Sequence, residues 1–241
     1  ASKAVSEANW WQHFRCRPNM RHAIADLDEV LVIALVSKTV LPMRVPTGQV
    51  FSHRLAVFAT DSFADQASLS SSMHQMWAIK YSSTLETRVN YSPSDAFVTF
   101  PRPEATEELE VAGASLHSAR REIMLRRNLG LTKLYNLVND PEVGGDPDVD
   151  RMRELHISLD QAVVAAYGWS DVKLDHGFHV YRQERRWTIG PAARVELMDR
   201  LSEENHRRAA EEAKVSVATS RKGSRGRRSA PPAPQEAMFD V

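Results

Sequence analysis

Apolar and polar positions follow two rhythms along this chain, and the change from one to the other divides it. Residues 29–36 read Glu-Val-Leu-Val-Ile-Ala-Leu-Val, β-rich and apolar without alternation, the pattern of a strand covered on both faces. Residues 40–45 read as its hairpin partner, turned around Ser37-Lys38-Thr39, although Pro42 is poorly suited to a central strand. Residues 55–60 predict a third strand. Asp61-Ser62 then offers an N-cap to a helix carrying Phe63, Leu69, Met73, Met76 and Trp77. Short β-like pieces follow at 86–90 and 96–100. Ahead of all these, residues 9–24 carry apolar side chains near helical spacing, and Pro18 breaks them into one kinked helix or two short ones.

Pro101-Arg102-Pro103 stiffens the chain and marks a boundary, beyond which the period becomes helical. Residues 104–127 predict one long helix with acids in its first turns. Arg120, Arg121, Arg126 and Arg127 lie near its end, an order that complements the helix dipole, and Gly130 follows as a stop. Residues 131–138 form a short amphipathic helix with Leu131, Leu134 and Val138 on the core face. Residues 149–167 form another helix, ended by Gly168. A loop with room for a hairpin spans 169–189, and Pro191 opens a final helix to about Lys214. From 216 onward apolar periodicity is nearly lost, and residues 221–228 hold five basic side chains in eight. Such a segment is expected to be disordered. The expected fold class is α+β. A small mixed α/β domain occupies 1–103, a mainly α-helical domain 104–215, and a basic, proline-rich tail 216–241.

Composition narrows the function little. Lys+Arg and Asp+Glu are both 31, so whole-chain charge neither supports nor excludes a nucleic-acid partner. Cys16 is the only cysteine, which excludes an intrachain disulfide. The longest apolar run, residues 30–36, is too short to span a bilayer, and no signal peptide opens the chain. A soluble cytoplasmic protein is expected. The first residue is Ala rather than Met, which reads as a fragment or a processed start.

The standard catalytic motifs are missing. There is no glycine-rich turn after a strand to approach S-adenosylmethionine. Nor is there an Asn/Asp-Pro-Pro-Tyr/Phe loop to hold a flipped adenine, a P-loop, or a paired nuclease motif around Glu184-Arg185-Arg186. No catalytic residue is therefore assigned. Other phrases stand in a telling order. Val36-Ser37-Lys38-Thr39 comes first, then residues 50–58, Val-Phe-Ser-His-Arg-Leu-Ala-Val-Phe. Ser71-Ser72-Met73-His74-Gln75-Met76-Trp77-Ala78 and Tyr81-Ser82-Ser83-Thr84-Leu85 follow. Next come residues 90–103, Asn-Tyr-Ser-Pro-Ser-Asp-Ala-Phe-Val-Thr-Phe-Pro-Arg-Pro, and residues 130–141, Gly-Leu-Thr-Lys-Leu-Tyr-Asn-Leu-Val-Asn-Asp-Pro. Leu155-His156, residues 165–169 and residues 176–179 complete the series. In this order they resemble the C-terminal target-recognition and helical region of type IIG/IIL restriction–modification adenine methyltransferases and their phage-defence relatives.

That resemblance covers residues 8–210 and implies a module that selects the DNA sequence to be methylated. Double-stranded DNA would be one partner and a methyltransferase domain or chain the other, with S-adenosylmethionine expected on that missing domain. This chain alone lacks the catalytic motifs for methylation, and S-adenosylmethionine binding by it would revive a stand-alone enzyme as a third reading. The alternative is a non-catalytic remnant that docks on a protein partner.

Lys38, Arg44, His53, Arg54, Lys80, Ser82 and Arg88 are the candidate DNA-binding residues, since such donors hold phosphates or read base edges. Singly, each reads first as solvated surface, and it is the resemblance that turns the group toward DNA contact. Residues 1–103 carry ten Lys/Arg against eight Asp/Glu, a small surplus. Ser83 and Thr84 are ordinary loop residues or caps as much as phosphate donors. Trp10, Trp11, Phe14, Trp77 and Tyr81 read as core rather than stacking platforms. His156, His176 and His179 with Asp175 are too loosely spaced for a zinc site, and no metal is assigned. Lys133, Tyr135 and Asn136 belong to an amphipathic helix. The basic run at 221–228 suits either the DNA backbone or a solubilising terminus.

Overall fold

A computed structural model of the chain describes residues 17–85, 88–181 and 184–225. A short helix, α1 (Pro18–Ala23), has proline in its first turn, where no intrahelical N–H bond is lost. Strand β1 (Glu29–Ala34) then runs antiparallel between β3 (Met43–Pro46) and β4 (Leu55–Phe58). Its unbroken apolar run is used on both faces, as the pattern predicts. Leu31 and Ile33 pack with Ala56, Phe58 and Leu69, whereas Val30 and Val32 pack with Ile24 and Phe51.

The chain changes sheets at Leu35. Its N–H donates to Arg54 O at 2.8 Å and its carbonyl accepts from Tyr91 N–H at 2.7 Å. Strand β2 (Val36–Ser37) thereby leaves β1 and joins β6 (Arg88–Asn90), which also pairs with β5 (Ser83–Leu85). The expected pairing after β1 holds, but residues 36–37 belong to this second sheet and not to a hairpin.

Ser62 caps α2 (Phe63–Ser70) as expected, its Oγ accepting from Asp65 N–H at 3.1 Å. The single helix expected beyond it is two. Ser71 adopts an extended ψ of 157°, donates to Ser68 O and accepts from His74 N–H, so it ends α2 and caps α3 (Ser72–Tyr81). Serine hydroxyls competing for backbone groups produce that break. Residues 96–100 are not a strand either. A π-helical turn at Pro93–Phe97 replaces it, with Val98 N–H bonded to Pro93 O. Pro93 brings no ladder donor, and Ser92 Oγ curls the chain by bonding Asp95 at 2.6 Å.

The helical half contains α4 (Glu107–Arg126), α5 (Leu131–Val138) and α6 (Pro147–Ala166). Thr106 caps α4 and Asp146 caps α6 through their side chains. A hairpin of β7 (Gly177–Tyr181) and β8 (Glu184–Thr188) leads to α7 (Pro191–Arg225). Helix α7 passes the expected stop near Lys214, because extending a helix that is already anchored avoids the cost of nucleation. Residues 226–241 of the basic tail lie outside the described residues.

One apolar cluster runs across position 103. It joins Leu41, Ala64, Met73, Trp77 and Phe100 to Leu116, Ile123, Leu134, Leu159 and Leu197. Tyr81 is exposed, unlike Trp77, and Trp10, Trp11 and Phe14 lie outside the described residues. Gly113 lets α4 touch α2: a Cβ there would lie 2.0 Å from Phe63 O. Two carboxylates from the helical half cap helices of the first half. Glu110 accepts from Ser62 Oγ (2.8 Å) and Phe63 N–H (3.0 Å) at the start of α2. Asp160 accepts from Ser72 N–H (2.8 Å) and Oγ (2.6 Å) at the start of α3. The proline-flanked connector is held too, by Tyr167 Oη–H on Pro101 O and Arg208 on Arg102 O.

Candidate nucleic-acid interface

The sheet switch at Leu35 gathers part of the expected basic set. Ser37 pairs with Val89, so Lys38 and Arg88 follow side by side where the β2–β6 ladder ends. Arg54 bonds Leu35 through its carbonyl on the neighbouring strand, with His53 beside it in the turn; both side chains are exposed. Lys38, Arg54, His53 and Arg88 are thus carried on adjoining pieces of backbone.

Three other candidates are placed elsewhere. Arg44 is buried, with a side chain only 3% exposed. Its Nε donates to Gln66 Oε1 at 3.2 Å, Glu29 lies 3.7 Å away, and its guanidinium stacks 4.0 Å over the Phe63 ring. These donors face the protein rather than a duplex. Its position on β3, the edge of a sheet backed by α2, turns it inward. Ser82 is also buried and accepts from Ser92 N–H. Lys80 is exposed at the end of α3, where it lines a mostly apolar groove of about 490 Å³ with Met76, Tyr181, Val195 and Met198. It stands apart from Lys38.

Lys38 instead meets residues of the helical half. A groove of about 300 Å³ is lined by Lys38 and Thr39, by Asn136 of α5 and its C-cap Asn139, and by Glu184, Arg185 and Arg186 of the hairpin. The hairpin is fixed there by Arg186, which donates to Lys38 O at 2.8 Å and also bonds Glu184. The Arg186 guanidinium, with Lys38 behind it, holds the Glu184 carboxyl below its ordinary range. Three cations face one carboxylate, so the groove is positive on balance; Asn136 brings an exposed amide, whereas the Asn139 amide donates to Tyr135 O and accepts from Trp187 N–H. Cations suit phosphates and amides suit base edges.

Sequence reading assigned Asn136 to an amphipathic helix and noticed Arg185 and Arg186 only as a nuclease motif without a partner. Only their position on a hairpin that folds back onto Lys38 connects them. Lys133 is exposed, while Tyr135 is buried and bonds His156 at 2.8 Å. His176 bonds Asp160 at 2.9 Å, and His179 bonds Asp175 O. Among the described residues no group of three or more His, Cys, Asp or Glu side chains is disposed to hold a metal, and no helix is long and apolar enough to cross a membrane.

No protein-family model and no curated protein matches the sequence. Among solved structures, the chain is similar to the type IIL restriction-modification enzyme MmeI, determined in complex with DNA. The TM-score is 0.57 and 22% of aligned residues are identical. The match covers 76% of this chain and 22% of the MmeI chain, so the region spans about a fifth of that enzyme's length. This chain therefore shares its fold with part of a type IIL restriction-modification enzyme.

Proposed function

We propose that the chain is the DNA-binding, sequence-selecting portion of a bacterial adenine methyltransferase of the restriction–modification kind. It acts in the cytoplasm on double-stranded DNA. S-adenosylmethionine and the methyl transfer belong to another domain or chain. The observation that carries this reading is the groove where Lys38, Arg185 and Arg186 converge with Asn136 and Asn139. It lies on a fold shared with an enzyme that was solved on DNA. Lys38, Arg54 and Arg88 supply the phosphate contacts, and the exposed Asn136 amide faces the bases.

Gel-shift titration against random duplex oligonucleotides at low and moderate salt tests it. The expected result is binding that weakens steeply with salt, because each neutralised phosphate releases counterions. Lys38→Ala with Arg185→Ala should weaken binding about tenfold or more and lower the salt slope by roughly two. Absence of duplex binding at every salt concentration would sink the proposal.

A second reading rests on the apolar groove lined by Met76, Tyr181, Val195 and Met198, beside exposed Tyr81 and Val180. There the chain docks on a protein, and the methyltransferase partner itself is the occupant compatible with both readings. Loss of co-purification with that partner in Val195→Asp, with duplex binding unchanged, separates docking from DNA contact.

A further inference from the structure

The outer face of the first sheet is apolar from edge to edge. The register sets Val30 and Val32 of β1 opposite Val45 and Met43 of β3. On the other side, Val32 and Ala34 stand opposite Val57 and Leu55 of β4. An antiparallel sheet with one free face alternates apolar and polar side chains and turns the polar set to water. No strand residue on this face is polar, so the face is made to be covered.

The described residues cover only its centre. Val30 and Val32 are buried with Ile24 and Phe51, and Met20 and Leu27 pack beside them. On the flanking strands Met43, Val45, Leu55 and Val57 are half-buried, and Ala34 is exposed. Helix α1 buries none of its own residues, so it rests on the face without closing it.

Size and chain continuity identify the occupant. Three strands about 4.8 Å apart, the longest of six residues, make a face of roughly 300 Å². A stable interface with another protein takes about 800 Å² from each partner, so the face is too small for a second copy alone. One helix, about 10 Å across, fits it. The chain itself leads there, since residues 1–16 run into Arg17 and α1, whose Met20 already packs in the cluster. Arg17 takes a left-handed φ of 47° ahead of Pro18, so α1 does not extend back into those residues. Phe14 follows Trp10 by four positions and Trp11 by three, spacings that put all three on one side of a helix. Each such side chain buries about 150–250 Å², so three are ample for the face.

We propose that residues 8–16 dock in cis on this outer face, with Trp10, Trp11 and Phe14 against Val45, Leu55 and Val57. The contact goes beyond the DNA reading and does not depend on it. A domain joined ahead of residue 1 would then be held against the sheet instead of swinging on a tether.

The test measures nuclear Overhauser contacts in the whole chain with labelled Val, Leu and Met methyl groups. The indole rings are assigned with Trp10→Phe and Trp11→Phe. The expected result is contacts from those rings to the methyls of Val45, Leu55 and Val57, unchanged on dilution. The double variant Trp11→Ala, Phe14→Ala should lose them and raise the fluorescence of the apolar dye ANS severalfold, as the face opens. The Trp77 indole N–H, bonded to Thr99 Oγ1, should keep its resonance position and so report that the body remains folded.

Contacts that appear only between differently labelled copies would assign the face to a second molecule and overturn the proposal. So would methyls on the face that touch no residue of 1–16 in the parent chain, whatever the variant does. A failed gel shift removes the DNA reading alone, because none of these contacts involves DNA.

Discussion

At the scale of single residues, stability turns on a few side chains that bury a charge, a proton-binding group or a near-contact. Gly113 is the sharpest case. Alanine is the better helix former by about 1 kcal/mol, but its methyl would meet the Phe63 carbonyl at 2.0 Å and push α4 off α2. Gly113→Ala is therefore expected to lose about 1–3 kcal/mol in denaturant unfolding, the usual cost of overpacking. A variant at least as stable as the parent contradicts that contact.

Two buried histidines set a pH dependence. Burial lowers His74 to about 4, with the Leu69 carbonyl on Nδ1 and Tyr91 Oη on Nε2, and it lowers His156 to about 4 as well. Both values lie below the ordinary value of 6.5, so the unfolded chain takes up the protons first. Stability is full above about pH 6.5 and falls as the pH drops toward 4. Each histidine should cost roughly 2 kcal/mol between pH 7 and pH 5. Equal unfolding midpoints at those two pH values would show that the rings are not enclosed.

Among elements, the joints matter more than the helices and strands they join. Helices α2 and α3 each begin against a carboxylate delivered from the other half, Glu110 and Asp160, where backbone N–H groups and the helix dipole favour negative charge. Glu110→Gln should cost about 1 kcal/mol. Asp160→Asn should cost about 2 kcal/mol or more, because it also removes the partner of His176. Thermal unfolding of the two variants checks both the values and their order.

These joints also mark what could be read from sequence. Caps acting within a few residues were legible, as at Ser62, and so were the doubly covered strand β1 and the short helix α5. The Ser71 break and the π-helical turn were missed because serine side chains competed locally with the expected periodicity. Of the seven donors expected on one face, Lys38, His53, Arg54 and Arg88 sit on adjoining backbone, whereas Arg44, Lys80 and Ser82 do not join them. The inward turn of Arg44 and the arrival of Arg185 and Arg186 were not legible, since both follow from packing between residues far apart in sequence.

For the whole molecule, the shared apolar cluster makes the two halves interdependent. Ala64, Met73 and Trp77 are covered on one side by residues beyond position 103, and buried Arg120 of α4 reaches Pro42 O at 2.8 Å. Residues 17–225 should unfold in one cooperative transition, with calorimetric and van't Hoff enthalpies equal. Two resolved transitions would show that the halves are stable separately. Helix α7 makes a different claim on space. Arg208 ties it to the Arg102 carbonyl, and its axis continues to Arg225. At about 1.5 Å per residue the helix beyond Arg208 is roughly 25 Å long. A rigid rod of that length sets how far whatever follows Arg225 begins from the Arg208 contact, as a ruler sets a distance.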